Sequence, residues 1–139
     1  MRFWDSSAVV PLLVQQPQSA LATRWLDQDP QVATWTLTPV EVASAVWRLV
    51  RDRAITEASA LAADQRAEEF SAAAHVVVDV EAVKRTARRL LRVHPLRAAD
   101  AAQLGAAVLW AGGRPHDRIF HTCDERLAHA ARLEGFSVP

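Results

Sequence analysis

The amino-acid sequence predicts an α/β protein of three layers, with a short twisted parallel sheet held between helices. Short runs rich in β-branched and aromatic residues alternate with longer segments whose apolar residues recur at helical spacing. Successive runs are separated by one or two such segments, and a parallel pairing requires a crossover of that kind. Composition agrees with both observations. Half of the 139 residues are hydrophobic, 23% are charged and only 4 are glycine, which suits one packed domain over residues 1–139 and leaves too little chain for two.

The elements follow in order. Phe3-Trp4 forms a first strand ending at Asp5, and Ser6-Ser7 lead into a helix over residues 8–14, where Pro11 fits only a first turn. Residues 18–29 place Leu21, Ala22, Trp25 and Leu26 on one helical face, and Asp29-Pro30 closes that helix. Residues 32–37 read as a strand, and Thr38-Pro39-Val40-Glu41 starts the next helix at once. Its apolar face is Val42, Ala45, Val46, Leu49 and Val50, with Arg48, Arg51 and Asp52 off it. A fourth helix spans residues 56–74, and the β-branched run 75–80 reads as a buried parallel strand. Val83, Ala87, Leu90 and Leu91 stripe a fifth helix, which Pro95 ends. Residues 96–111 form a sixth helix closed by Gly112-Gly113. Strand 118–123, helix 124–133 with its stop at Gly135, and a short strand over 136–138 complete the chain.

Charge and cysteine content exclude several classes of function. Sixteen Lys and Arg balance sixteen Asp and Glu, so bulk electrostatics cannot drive nucleic-acid binding and only a local patch could do so. Cys123 is the single cysteine, which excludes an internal disulfide and a cysteine zinc site and fits a reducing, cytoplasmic setting. The opening Met1-Arg2-Phe3-Trp4-Asp5 reaches a charge too early for an export signal, and no apolar run approaches the ~20 residues of a membrane span. A compact soluble protein is expected.

In parallel sheets the chemistry gathers beyond the carboxyl ends of the strands. Asp5 ends the first strand, Glu41 follows the second, Asp124 follows the strand at 118–123, and Asp100 stands among alanines near the start of its helix. Four carboxylates at one edge repel each other unless a cation neutralises them, and oxygen ligands without Cys or His favour Mg²⁺ or Mn²⁺. A metal-activated water attacking a phosphodiester is the matching reaction.

The segments carrying these acids are Asp5-Ser6-Ser7-Ala8, Thr38-Pro39-Val40-Glu41-Val42-Ala43-Ser44-Ala45, Leu96-Arg97-Ala98-Ala99-Asp100-Ala101-Ala102-Gln103-Leu104 and Thr122-Cys123-Asp124-Glu125-Arg126-Leu127. In this order, along essentially the whole chain, they resemble the PIN-domain ribonucleases, specifically the VapC-type toxins of bacterial toxin–antitoxin pairs. The resemblance implies a PIN-like three-layer α/β/α fold and an endoribonuclease that uses Mg²⁺ or Mn²⁺. In this chain Asp5, Glu41, Asp100 and Asp124 would hold one or two ions, and Ser7 and Thr122 would orient the carboxylates. It further implies a homodimer and a small cognate antitoxin whose tail covers the acidic site. Asp117 competes with Asp124 for the fourth role, and Thr122-x-Asp124-x-x-Leu127 favours Asp124.

Each acid also has a structural alternative. Asp5 could cap the following helix, although Ser6 and Ser7 offer capping oxygens of their own, and Glu41 closes a capping box with Thr38. For Asp100 the alternative is the helix dipole; for Asp124 it is a cap, with Thr122-x-x-Glu125 as a competing box. Lys84, Arg85, Arg88, Arg89 and Arg92 line one side of the fifth helix, either as a solvated face or as a site for RNA phosphates. The tryptophans fall mostly on apolar faces, and the five histidines share no metal-binding spacing. Two other functions remain open: a PIN-like module that binds RNA or protein without cutting, and a phosphotransfer enzyme with Asp5 as nucleophile, for which Lys84 is the only lysine.

Overall fold

A computed structural model describes residues 1–139. The chain runs β1 (Arg2–Trp4), α1 (Ser6–Leu13), α2 (Ser19–Gln28), β2 (Val32–Trp35), α3 (Thr38–Arg51), α4 (Glu57–Ala73), β3 (His75–Val77), α5 (Val80–Val93), α6 (Ala98–Trp110), β4 (Phe120–His121) and α7 (Glu125–Leu133). The four strands form one parallel sheet in the order β3-β2-β1-β4, with Phe3 opposite both Ala33 and Phe120.

Alternation along the strands divides the interior into two cores. Phe3, Ala33, Trp35 and Phe120 face one side, where α5, α6 and α7 pack through Val83, Leu90, Leu104 and Leu127. Trp4 and Val32 face the other, where α1 to α4 supply Val9, Val10, Trp25, Val42, Val46 and the alanine stripe Ala60, Ala63 and Ala67. Phe3 lies parallel to Phe120 with ring centroids 5.6 Å apart, and Trp4 meets Trp25 edge-on at 6.1 Å. The three layers expected from the sequence are present.

The order of the strands locates the crevice. After β1 the chain adds β2 and then β3 on one side and returns to place β4 on the other side of β1. Helix α1 leaves β1 toward one core and α7 leaves β4 toward the other, so a crevice opens at the carboxyl ends of this pair. On the α7 side, α6 presses against α5 at Gly105. A Cβ there would stand 3.2 Å from the Ala87 amide nitrogen and 3.3 Å from the Val83 carbonyl oxygen.

Several boundaries differ from those read in the sequence. Helix α1 starts at Ser6, two residues early, because the Asp5 side chain accepts the Ser7 amide, and Pro11 therefore lies beyond the first turn. Strand β3 stops at Val77 rather than at residue 80, because the Asp79 side chain accepts the Ala82 amide and caps α5. The strand expected over residues 136–138 is reduced to one bridge between Ile119 and Ser137. Helix α6 begins at Ala98, after Leu96 and Arg97.

His121 in β4 is fully buried, its ring centroid 4.4 Å from Trp25 and 4.7 Å from Trp4, and neither ring nitrogen has a hydrogen-bond partner in the protein. Burial, with a smaller contribution from the charge of Arg2, pushes its pKa down from 6.5 to about 4. A proton therefore binds the unfolded chain more readily than the folded one, so the stability this group contributes is present above 6.5 and is lost as the pH falls toward 4. Replacing His121 with Phe, which keeps the stacking, should shrink the fall in melting temperature between pH 7 and pH 5 by an amount corresponding to roughly 2 kcal/mol. Identical pH profiles for the two proteins would contradict this account.

Candidate active site

The crevice is closed at its base by a hydrogen-bonded knot around Asp5, which is 3% exposed. Its Oδ2 accepts the Ser7 amide at 3.1 Å, the Ser7 hydroxyl at 2.5 Å and the Thr122 hydroxyl at 2.9 Å. The Ser7 hydroxyl oxygen accepts the Cys123 amide at 2.8 Å, and the Thr122 hydroxyl oxygen accepts the Asp124 amide at 3.1 Å. Ser7 and Thr122 thereby fix one Asp5 oxygen and leave Oδ1 with only a long contact of 3.3 Å from the Ser6 hydroxyl. Asp5 caps its helix after all, and the presence of Ser6 and Ser7 does not relieve it of that duty. The cap uses one oxygen and leaves the other to the crevice.

Glu41 is released from the role that competed for it. The cap position of α3 is held by Leu37, and the Thr38 hydroxyl instead accepts the Trp35 amide at 3.2 Å and the Gln103 amide at 3.3 Å, so no capping box forms. The Glu41 carboxylate turns toward α1 and accepts the Ser6 hydroxyl at 3.0 Å. Asp100, in the first turn of α6, accepts the Arg97 amide at 3.3 Å through one oxygen. Asp124 caps α7 by accepting the Leu127 amide at 2.8 Å through Oδ1, and its Oδ2 has no partner in the protein.

Proton affinities show that the acids feel one another. Burial raises Asp5 above the usual carboxylate range against the pull of its hydrogen bonds, and the charge of Asp100 adds to the rise. Burial lifts Glu41 to about 6, with the charges of Asp5 and Asp100 contributing. Asp100 is raised by burial and then by the charge of Asp124, while Arg97 and Arg126 oppose the shift. No three of these side chains, however, converge closely enough to hold a metal ion among them. The donors suit Mg²⁺, which takes one or two carboxylates and retains waters for the rest of its shell.

A cleft of about 290 Å³ opens over the acids between α1, α3 and the start of α6, lined by Ser6, Glu41, Ser44, Arg48, Arg97 and Asp100 among others. Arg48 and Arg97 escaped the sequence reading. Arg48 falls off the apolar face of α3 and reads as solvated, yet it shares the Glu41 face two turns on. Arg97 stands three residues before Asp100, in a segment read only for its acid.

Asp117 lies ahead of β4 in a turn, with φ 64° and an exposed side chain, at the amino ends of the strands. Asp124 stands at the carboxyl ends with the other acids. The cationic row of α5 is partly spent, since Lys84 pairs with Glu81 at 2.8 Å and Arg89 grips both Glu134 oxygens at 3.1 and 2.6 Å. His94 also contacts Glu134 at 2.8 Å. Arg85, Arg88 and Arg92 keep free guanidinium groups around a shallow hollow. Lys84, the only lysine, stands on exposed α5 and forms no contact with Asp5, which the phosphotransfer reading would need.

A sequence model of the PIN domain matches residues 2–133 of the chain. The chain belongs to the PIN domain family. Ribonuclease VapC45 from Mycobacterium tuberculosis strain CDC 1551 and ribonuclease VapC49 from strain H37Rv are each 34% identical to it over 136 residues, 98% of this chain and 92% of theirs. The crystal structure of PAE2754 from Pyrobaculum aerophilum superposes with a TM-score of 0.63 at 21% identity, over 99% of this PIN domain and 87% of that chain, a likeness of fold. The resemblance read from the four acidic segments therefore holds.

The raised carboxyl groups set a second pH dependence. Glu41 holds its proton more tightly folded than unfolded, so the stability it contributes is present below 4.5 and is lost as the pH rises through about 6, opposite in sign to His121 over an overlapping range. Glu41→Gln should therefore raise the melting temperature in EDTA at pH 7 by a few degrees, corresponding to about 1 kcal/mol. A lower melting temperature by calorimetry would show that the ionised form is held favourably in the fold.

Proposed function

We propose that this PIN domain is a divalent-metal-dependent endoribonuclease and the toxin of a toxin–antitoxin pair. The observation that supports the reading is the mutual influence of the acids at the carboxyl ends of the strands: Ser6 joins Asp5 to Glu41, and the charges of Asp5, Asp100 and Asp124 raise the proton affinities of their neighbours. Its relatives named as ribonucleases match it along nearly its whole length, which supports the same activity here. Asp5, Glu41, Asp100 and Asp124 would hold Mg²⁺ or Mn²⁺, which would supply the charge that offsets the carboxylates and lower the pKa of a bound water that could then attack phosphorus. The protein contributes positioning. Asp5 and Asp124 are fixed by helix caps, Ser7 and Thr122 orient Asp5, and Glu41 and Asp100 line the cleft beside them.

The same reading assigns RNA as substrate, a small cognate antitoxin as inhibitor, a homodimer as the working form and the cytoplasm as its place. No helix is long and apolar enough to cross a membrane. The free guanidinium groups of Arg85, Arg88 and Arg92 provide a peripheral contact for RNA phosphates, with Lys84 and Arg89 occupied by Glu81 and Glu134. A module that binds without cutting is the second reading. One observation favours it, the absence of three side chains close enough to share an ion.

Incubating the protein, freed of any antitoxin, with total cellular RNA and Mg²⁺ or Mn²⁺ should give discrete cuts on sequencing. EDTA and Asp100→Asn should each abolish them while the variant stays folded. Folded protein that neither cuts nor binds Mn²⁺ by calorimetry would transfer the acids to a structural role. Arg85→Glu with Arg88→Glu should weaken RNA binding and lower its salt slope, and an unchanged slope would remove α5 from the RNA-binding surface.

A further inference from the structure

The cleft over the acids carries both charges on each of its walls. Glu41 and Arg48 stand together on α3, and Arg97 and Asp100 together at the start of α6, yet neither arginine forms an ion pair with any carboxylate of the chain. Neither guanidinium donates a hydrogen bond within the protein, although Arg97 is near enough to Asp100 to lower its proton affinity. Both guanidinium groups are exposed, solvated by water and free to turn to a ligand in the cleft. A ligand that is itself anionic and also tolerates the acids resolves the arrangement. A phosphodiester strand does so, since one phosphate can bridge to the carboxylates through a divalent cation while its free oxygens accept from a guanidinium. An acidic peptide lacks such a match, because its carboxylates would compete with those of the cleft for the same cation.

The two arginines stand at different points along the cleft. Arg97 directly precedes α6 and lies one turn from Asp100, whereas Arg48 lies about 10 Å along α3 from Glu41 at a rise of about 1.5 Å per residue. We propose that Arg97 grips the phosphate being cut and that Arg48 grips its neighbour along the RNA strand. This rests on the nuclease reading of the same cleft and adds to it a direction for the bound strand, from the start of α6 toward the last turn of α3. Charge grows on the free oxygens of the scissile phosphate as water attacks, so Arg97 acts mainly on the rate. The neighbouring phosphate keeps its charge throughout, so Arg48 acts on affinity.

The test uses the full chain, Mg²⁺ and a fluorescein-labelled, non-cleavable 2′-O-methyl RNA of mixed sequence, followed by fluorescence anisotropy over a salt series. Arg48→Gln should weaken binding several-fold and lower the salt slope by about 0.7, the value for one lost phosphate contact on a single strand. With a cleavable RNA taken from a mapped cut site, Arg48→Gln should raise KM at nearly constant kcat. Arg97→Gln should lower kcat by about 100-fold, with part of the loss recovered in Arg97→Lys. Unchanged affinity and salt slope in both Gln variants, or no RNA binding by the wild type, overturns the grip. Displacement of the probe by polyglutamate but not by polyuridine overturns it in favour of an acidic protein partner. Binding that depends on Arg48 in a protein that cuts no RNA sustains the grip and rejects the nuclease.

Discussion

A carboxylate buried at the end of the central strand carries a large desolvation cost, and the architecture around Asp5 answers it with donors from two separate parts of the chain. Ser7 comes from the helix that Asp5 itself starts, and Thr122 comes from the strand on the other side of the crevice. The same hydroxyl oxygens accept amides of the segment leaving β4, so the knot fixes the entry to α7 as well. Registering β1 against β4, starting α1 and placing Asp124 are thus consequences of satisfying one charge. This accounts for two small hydroxyl residues at these positions, since each must donate and accept at once.

The crevice is held in tension. Four acids share it, three with raised proton affinity, and the nearby cations Arg97 and Arg126 relieve Asp100 without pairing with it. A chain selected for stability alone would not keep this arrangement. The rest of the fold opposes the strain with two apolar cores meeting at a sheet whose central strand is covered on both faces.

The order of elements was legible in the sequence because strands and helices write different periods, and all seven helices were read, the second, third and fifth from an apolar stripe and the others from the segments and stop signals around them. Ends were less legible. Asp5 and Asp79 look like interior or terminal strand residues until their side chains are seen to cap helices, and each cap moves a boundary. The acids of the crevice were all visible, since topology brings residues that follow parallel strands to one edge. Which of its competing roles each acid takes was not. Thr38-x-x-Glu41 has the letters of a capping box, and only the tertiary contact between Thr38 and Gln103, 65 positions apart, dissolves it. Arg48 was hidden for a similar reason. An arginine opposite an apolar face is solvated in most helices, and what makes it part of a cleft is the helix packed alongside, which no local pattern records.

The ends of the sheet bear on how copies of the chain can meet. At one edge β3 offers only three residues before Asp79 turns the chain into α5, and at the other the bridge from Ser137 to Ile119 already occupies the border of β4. Neither edge presents the long unpaired ladder on which a strand from a second molecule could build. Self-association by adding strand to strand therefore has little to build on, and the sheet that organises each chain stops at its own boundary.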